Sequence, residues 1–320
     1  MTRFGKRLGF TLLLLAIPFL LACSGQGSGP SAAPAPPPLS IPAQGSVTTL
    51  DIAEWNLEWF GSSSNGPINE SLQQQNVRDV IAGMDCDIWG LEEVVSPSTF
   101  SGLVAALPGY AGLLANDPSV VNGPAYYGVD EQKVGLLYKT EIATVQSAQL
   151  ILTSNDYDFA GRPPMEVKLS ITLNGTTSSL YVVCLHAKAF NDLASWQRRL
   201  NASAALKNYL DTVRPDDRVL VLGDFNDDLD TSITSGKPSP YQNFVDDPLR
   251  YSAITKVLSD AHVSTTLAYA DAIDHHLATN ELAARYLAGS AKIFPATQYL
   301  PDFATTTTDH LPVITRWLAP

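Results

Sequence analysis

The sequence predicts an α/β or α+β sandwich built on mixed β-sheets, and three observations lead there. Short apolar, β-branched segments alternate with amphipathic ones, the pattern of strands interleaved with helices. An Asn174-Gly175 pair between two alternating runs marks an antiparallel hairpin, so the sheets are mixed rather than purely parallel. Several strands end in carboxylate, amide or imidazole side chains, which is where an open α/β sheet places its chemistry.

The first residues are not part of that fold. Arg3, Lys6 and Arg7 precede an apolar run, Leu8 to Ala22, that is too short and wrongly flanked for a spanning helix and reads as an export signal. The run ends Leu20-Leu21-Ala22-Cys23-Ser24, which resembles the lipobox of bacterial lipoproteins. That resemblance implies a signal peptide over 1–22, a lipidated Cys23 and an exported, membrane-anchored protein, periplasmic or at the cell surface. Residues 23–46 are rich in Ser, Gly, Pro and Ala, cannot bury a core and read as a tether. One domain is expected over 47–320, because no internal repeat or second linker divides it. Removing the three signal-segment cations takes the formal charge from −12 to −15. Such a surface disfavours non-specific polyanion binding by charge alone, although divalent cations reverse the sign locally. Cys86 and Cys184 are compatible with a disulfide and, equally, with two separate buried thiols.

In chain order, Leu50 to Phe60 reads as a strand that presents Asn56 and Glu58 on one face at its end. Asn69 caps a helix running to about Met84, with Leu72, Val77, Val80 and Ile81 inward. Cys86 to Val94 is a second strand, ending at Glu92-Glu93, and residues 98–107 form a helix closed by Pro108-Gly109. Lys133 to Lys139 and Ala143 to Leu152 are further strands. Phe159 to Met165 is a stiff turn, containing Arg162, that leads into the hairpin Glu166–Leu173 and Ser179–Leu185, after which come His186 and Lys188. Residues 191–213 form a helix with Trp196, Leu200, Leu206 and Leu210 inward and Arg198, Arg199 and Lys207 elsewhere. Val219 to Leu222 is a buried strand delivering Gly223, Asp224 and Asn226, with Asp224 and Asn226 on one face and Asp227 and Asp228 in the turn. A polar loop over 230–247 follows, then a short strand with Asp274, His275 and His276, and finally Asp309-His310 before the strand Val313 to Leu318.

Each of these polar strand ends has an ordinary explanation as a turn or a surface pair. Their order along the chain, however, resembles the endonuclease/exonuclease/phosphatase superfamily. The likeness rests on Trp-Asn-Leu-Glu at 55–58, Gly-Leu-Glu-Glu-Val at 90–94, Arg-Pro-Pro at 162–164 and Leu-His-Ala-Lys at 185–188. It continues in Gly-Asp-Phe-Asn at 223–226, Ile-Asp-His at 273–275 and Thr-Asp-His-Leu-Pro-Val at 308–313. The resemblance implies a four-layer sandwich, with two mixed β-sheets face to face flanked by helices and a site at one end of the sheets. It implies metal-dependent hydrolysis of a phosphate ester, with Mg²⁺ or Mn²⁺ as the hard cation suited to oxygen ligands. By position, Asn56, Glu58, Glu93 and Asp309 match the metal groups, with Glu93 foremost. Asp224 matches the residue that orients or deprotonates water, and Asn226 a phosphate-oxygen donor. His186 and His310 match the histidines around the scissile phosphate, and Asp274 the acid behind His310. Arg162 and Lys188 match substrate-side cations.

The expected substrate is a phosphodiester, first of all nucleic acid, and no feature indicates a protein partner. Three departures stand out: Glu92 where many members have glutamine, Thr308 for serine, and Cys184 for asparagine. The alternative within the fold is a phospholipid or inositol-phosphate esterase, for which Tyr126-Tyr127 and Phe244-Val245 are the candidate membrane-contacting pairs. From another class, a non-catalytic binding lipoprotein is disfavoured because Glu93, Asp224, Asn226, Asp309 and His310 are all present. A zinc site on His275-His276 is disfavoured because adjacent strand residues face opposite ways.

Overall fold

Two strand–helix–strand units set the frame of the computed structural model, which describes residues 40–319. In the first, β1 (Leu50–Phe60) and β2 (Ile88–Val94) pair in parallel around the helix Glu70–Met84. In the second, β7 (Thr176–His186) and β8 (Val219–Asp224) do the same around the helix Leu193–Val213. A parallel pair needs a crossover of this length, and the crossover covers one face of its sheet. The remaining strands are β3 (Tyr110–Leu114), β4 (Lys133–Lys139), β5 (Ala143–Leu150), β6 (Met165–Leu173), β9 (Tyr251–Ala253), β10 (Asp274–Thr279), β11 (Lys292–Ile293) and β12 (Val313–Trp317). They pair antiparallel, giving two mixed six-stranded sheets in the orders β11-β12-β1-β2-β4-β3 and β5-β6-β7-β8-β10-β9. The expected sandwich of mixed sheets flanked by helices is the observed fold.

Alternation along the strands sorts the core into layers. Leu50 and Ile52 of β1, Ile88 of β2, Val182 and Cys184 of β7, Leu220 and Leu222 of β8 and Ala278 of β10 share one cluster between the sheets. Their odd-numbered neighbours face outward. Ala53, Trp55, Trp89 and Leu91 pack under Val77, Val80 and Ile81 of the first helix. Val183, Leu185, Val219 and Val221 pack under Ala202, Leu206 and Leu210 of the long helix.

Local signals act where they stand. The Asn69 side chain accepts from Leu72 N at the first helix, and Asp192 accepts from Ala194 and Ser195 N at the long one. Asn174 and Gly175 both have positive φ (52° and 77°), as a two-residue hairpin turn between β6 and β7 requires. Cys86 and Cys184 are free buried thiols in different core layers, so the open choice between bridge and thiols resolves to thiols.

Three expectations are corrected. Arg199, placed off the inner stripe of its helix, is fully buried, while Leu200 is only half-buried. The folded unit begins before Val47: Ile41 is in the core, and the N–H groups of Gln44 and Gly45 both donate to Met84 O (2.7 and 3.0 Å), an end-of-helix carbonyl in need of a partner. Tyr127 and Phe244 are buried, 3% and 1% exposed, so neither candidate pair forms an apolar projection. The expected signal peptide, Cys23 and most of the tether lie outside the described residues. No helix among the described residues is long and apolar enough to cross a membrane.

Candidate active site

The alternation that fills the inter-sheet layer with aliphatic side chains puts polar ones there at one end. Continuing the even-numbered positions brings Asn56 of β1, Glu92 of β2, His186 of β7, Asp224 of β8 and Asp274 of β10 into that layer. His186, Asp224 and Asp274 are lateral neighbours on three adjacent strands, since Asp224 registers with His186 on one side and Asp274 on the other. Asn56 registers with Glu92 on the opposing sheet. Asn56 then bridges the sheets, its Nδ2 donating to Asp224 Oδ2 (3.0 Å) and to Glu93 Oε1 (3.3 Å). Asn56, expected among the metal groups, thus spends its amide N–H on the carboxylates, and its Oδ1 accepts from Glu58 N (2.9 Å).

Three site residues arrive by another route. Glu58, Glu93 and Asn226 have φ of 46°, 58° and 51°, the left-handed region, so strand alternation ends before each of them. The expectation that Glu58 and Asn226 share a face with Asn56 and Asp224 through extended geometry therefore fails. Each reaches the same cleft by a local turn instead. An extended Glu93 would follow Leu91 toward the outer core. The register shift at the end of β2 turns it inward, where Oε2 accepts from Trp59 N (3.0 Å). The Asn226 N–H caps Asp224 Oδ1 (2.8 Å). Gly223 adopts φ 137°, and a Cβ there would lie 2.0 Å from Leu185 O, so only glycine fits ahead of Asp224.

These groups line a cleft of about 460 Å³ that holds Glu58, Glu93, His186, Asp224, Asp309 and His310, with Asn226 at its wall. The two histidines differ in charge. His186 is buried, its Nε2 lying 3.6 Å from Asp224 Oδ2 and 3.7 Å from Glu93 Oε1. Burial first, then the charges of Arg162 and His310, pushes its pKa well below the usual value, so it is neutral. Burial also opposes a charge on His310, but Asp274 receives its Nδ1–H at 2.9 Å and, with Asp224 and Asp309, raises its pKa well above the usual value. Asp274 is fixed in turn by Thr265 Oγ1, which donates to its Oδ2 at 2.6 Å. Thr265 was not among the expected residues, and nothing in its sequence context distinguishes it from a loop threonine. Burial and the Asp274 charge lift Asp224 to about 7, a carboxyl poised to take or give a proton near neutrality.

Sequence comparison decides the lineage. Residues 53–310 match the Endonuclease/Exonuclease/phosphatase family, a span that contains every site residue from Asn56 to His310. The chain belongs to that family. Solved structures agree at the level of fold. D. rerio TDP2 complexed with single strand DNA product aligns with a TM-score of 0.60 at 13% identity, covering 85% of this chain and 100% of that one. The 3′ phosphatase NExo from Neisseria bound to product DNA hairpin gives 0.56 at 15%, covering 84% and 99%. A Bacteroides thetaiotaomicron mannosyl-6-phosphatase gives 0.52 at 14%, covering 83% and 98%. No curated protein matches the chain in sequence.

Phosphoester hydrolysis is the activity that membership in the endonuclease/exonuclease/phosphatase family implies, and the donor set fits a hard divalent cation. Glu58, Glu93 and Asp309 open onto one cleft. Burial, then the charges of Asp309 and Glu93, raises Glu58 to about 7, and its Oε2 is buried with no partner. A cation relieves both conditions. A second group offers ligand atoms within 4.8 Å of one another, namely Asp224, Asp274 and His310. Its acids already have donors, Asp274 from His310 Nδ1 and Thr265 Oγ1 and Asp224 from Asn56 Nδ2 and Asn226 N, so the Glu58–Glu93–Asp309 corner is the better cation site.

The other expected residues divide. Arg162 lies beside the cleft, donating to Gln132 Oε1 (2.5 Å) and Ala187 O (2.8 Å) while its Nε has no partner. Lys188 lies next to it, over the Phe190 ring. His275 and His276 point opposite ways, to Thr255 Oγ1 and Thr315 Oγ1, and form no chelating pair. Asp227 and Asp228 are structural. Asp227 takes Arg199 Nε at 2.8 Å, and Asp228 Oδ2 takes Ala272 N at 3.0 Å.

Proposed function

We propose that this protein is a divalent-metal-dependent phosphodiesterase, with nucleic acid as its first substrate and Mg²⁺ or Mn²⁺ as its ion. The carrying observation is the split between a neutral His186 and a protonated His310 on either side of Asp224, a carboxyl poised near neutrality. In this reading Asp224 accepts the proton of the attacking water as its oxygen bonds to phosphorus, while one ester P–O bond breaks and the departing oxygen is protonated from solvent. The His310 imidazolium, oriented by Asp274, donates from Nε2 to an oxygen of the phosphoryl group as charge builds there. Asn226 adds an amide N–H without adding charge. Its Nδ2 also reaches Ala187 O at 3.3 Å, which leaves a second hydrogen for the substrate. His186 donates from Nε2, and Arg162 and Lys188 hold the substrate's anionic side. When bound at Glu58, Glu93 and Asp309 beside Asn56, the cation supplies Lewis-acid polarisation of the phosphoryl oxygens.

The test is a panel of plasmid DNA, RNA, bis(p-nitrophenyl) phosphate and sphingomyelin, with Mg²⁺, with Mn²⁺ and with chelator. Cleavage of nucleic acid and of the chromogenic diester that chelator abolishes supports the proposal. Intact substrates at metal excess refute it, and cleavage of sphingomyelin alone moves the substrate to phospholipid. The burial of Tyr127 and Phe244 weighs against that second outcome. We further propose that the protein is exported and anchored by lipid on Cys23, as the basic, apolar and Leu-Leu-Ala-Cys segments support. Cys23→Ser then releases it from the membrane fraction, and unchanged retention refutes the anchor.

A further inference from the structure

Beside the catalytic cleft lies a second one of about 440 Å³, sharing Trp59, Glu93, His186 and Phe190 with it and lined by Arg162, Lys188 and Arg198. The chain carries a formal charge of −12, so three cations facing one opening are unusual company. Several cations in the structure are neutralised by a carboxylate, as Arg199, Lys207 and Arg214 are. These three have no carboxylate partner among the described residues. Arg198 donates to the carbonyl of Tyr157 and stacks on its ring at 4.1 Å. Lys188 donates to Ala189 O and lies 4.2 Å from the Phe190 ring centroid. Burial, then the charges of Arg198 and Arg162, lowers the Lys188 pKa, and the charge of Asp192 opposes this only in part.

The wall between the clefts is aromatic. Phe190 lines both and is 69% exposed, held in a left-handed backbone at φ 80°. Its position is fixed from below, since Arg199 Nη1 donates to both Lys188 O and Phe190 O at 2.7 Å. Tyr157, 72% exposed, offers a second ring at the far side under Arg198. Cations that track a backbone, interleaved with exposed rings, are how single strands are held without sequence preference.

We infer that this second cleft is a subsite for a neighbouring, uncleaved phosphate of a single-stranded nucleic acid, with Arg198 and Lys188 as its ligands and Phe190 stacking on the intervening base. The inference rests on the phosphodiesterase reading of the adjoining cleft and extends it to the substrate class. A strand with two phosphates engages both clefts, whereas a diester with one engages only the catalytic one.

The test compares kcat/KM for a trinucleoside diphosphate with that for a dinucleoside monophosphate, and the ratio is the readout. In the wild-type protein the ratio is roughly tenfold or more, the worth of one charge-assisted phosphate contact. Arg198→Gln brings it close to one, and Phe190→Ala lowers it with a smaller change in salt dependence. A wild-type ratio near one, or a ratio unchanged in Arg198→Gln, overturns the subsite. A second arm does not depend on turnover. With chelator present, binding of a fluorescent trinucleoside diphosphate weakens roughly tenfold in Arg198→Gln, and the slope of log affinity against log salt falls by about 0.7. Equal affinity and equal slope in the two proteins overturn the subsite, whatever the activity panel shows. Failure of the phosphodiesterase reading appears separately, as no cleavage of either oligonucleotide.

Discussion

Glu92→Gln should stabilise this protein. Glu54 of β1 and Glu92 of β2 are fully buried between the sheets. Their four carboxyl oxygens meet no donor outside the pair. The two carboxyls are within hydrogen-bonding reach of each other. Burial, then the charge of Asp274, raises both well above the ordinary 4.5. Two carboxylates in such contact cannot both be ionised, so the folded protein keeps a proton that the unfolded chain releases above 4.5. Between the ordinary value and the raised folded one, holding that proton costs about 1.4 kcal/mol per pH unit. The folded state binds the extra proton, so its stability is fully present below about 4.5 and declines as pH rises. A glutamine donates N–H to Glu54 with no proton to acquire. The gain therefore vanishes near pH 4.5 and grows by about 1.4 kcal/mol per pH unit above it until the raised folded pKa is reached. Urea unfolding of both proteins in chelator, across that pH interval, measures it. A gain under about 1 kcal/mol at neutrality, or one that does not shrink toward acid, refutes the shared proton. Glutamine is also what the family resemblance leads one to expect at this position.

Two further outcomes follow from buried pairs. Arg199→Met strands Asp227 without its cation, and breaking a buried pair costs about 3–5 kcal/mol. Asp227 keeps Ser232 Oγ and Ile233 N as donors, so the low end applies, a fall of roughly 6–12 °C in melting temperature. A melting curve within about a degree of wild type counts against that. Asp274→Asn removes the charge that holds His310 protonated. Activity lost as pH rises through the raised His310 pKa is then lost at lower pH, and turnover falls by about 10²–10⁴. A kcat/KM profile with an unmoved alkaline limb refutes the pairing.

Much of the frame was readable because its signals are local. The Asn69 cap, the Asn174-Gly175 turn and the apolar strands act through their own backbone or their nearest neighbours. Arg199 was not readable. A helical pattern assigns a charged residue to the surface, and only the tertiary contact with Asp227 reverses that. The strands β3, β9 and β11 also escaped, being five, three and two residues long and specified by pairing rather than by pattern. Within the site, strand alternation does carry Asn56, His186, Asp224 and Asp274 to one layer, but from the sequence alone it paired only Asn56 with Glu58 and Asp224 with Asn226. It could not choose between Glu92 and Glu93. Strand parity sends Glu92 inward and Glu93 outward, and only the left-handed turn at Glu93 delivers it to the cleft. The family resemblance favoured Glu93, and the backbone supplies the reason.

That turn also explains how one sandwich supports both a core and a charged cleft. If the site were made by alternation alone, every carboxylate would lie in the inter-sheet layer, where Glu54, Glu92, Asp224 and Asp274 already crowd. The left-handed residues at Glu58, Glu93 and Asn226 lift three groups out of that layer to the cleft wall, where Glu93 and Glu58 are half-buried. The result is a lateral separation of sign. Below lies a floor of carboxyls, held partly by shared protons and by His310. Above it, Glu58, Glu93 and Asp309 can meet a cation with water beside it, which suits an ion that keeps several waters. To one side stand Arg162, Lys188 and Arg198, none of them in a salt bridge among the described residues. An anionic ester entering this field is drawn from the side by the cations and meets the acids only where a metal or His310 has reversed their sign. The protein can therefore be acidic overall and still admit an anionic phosphoester beside these cations.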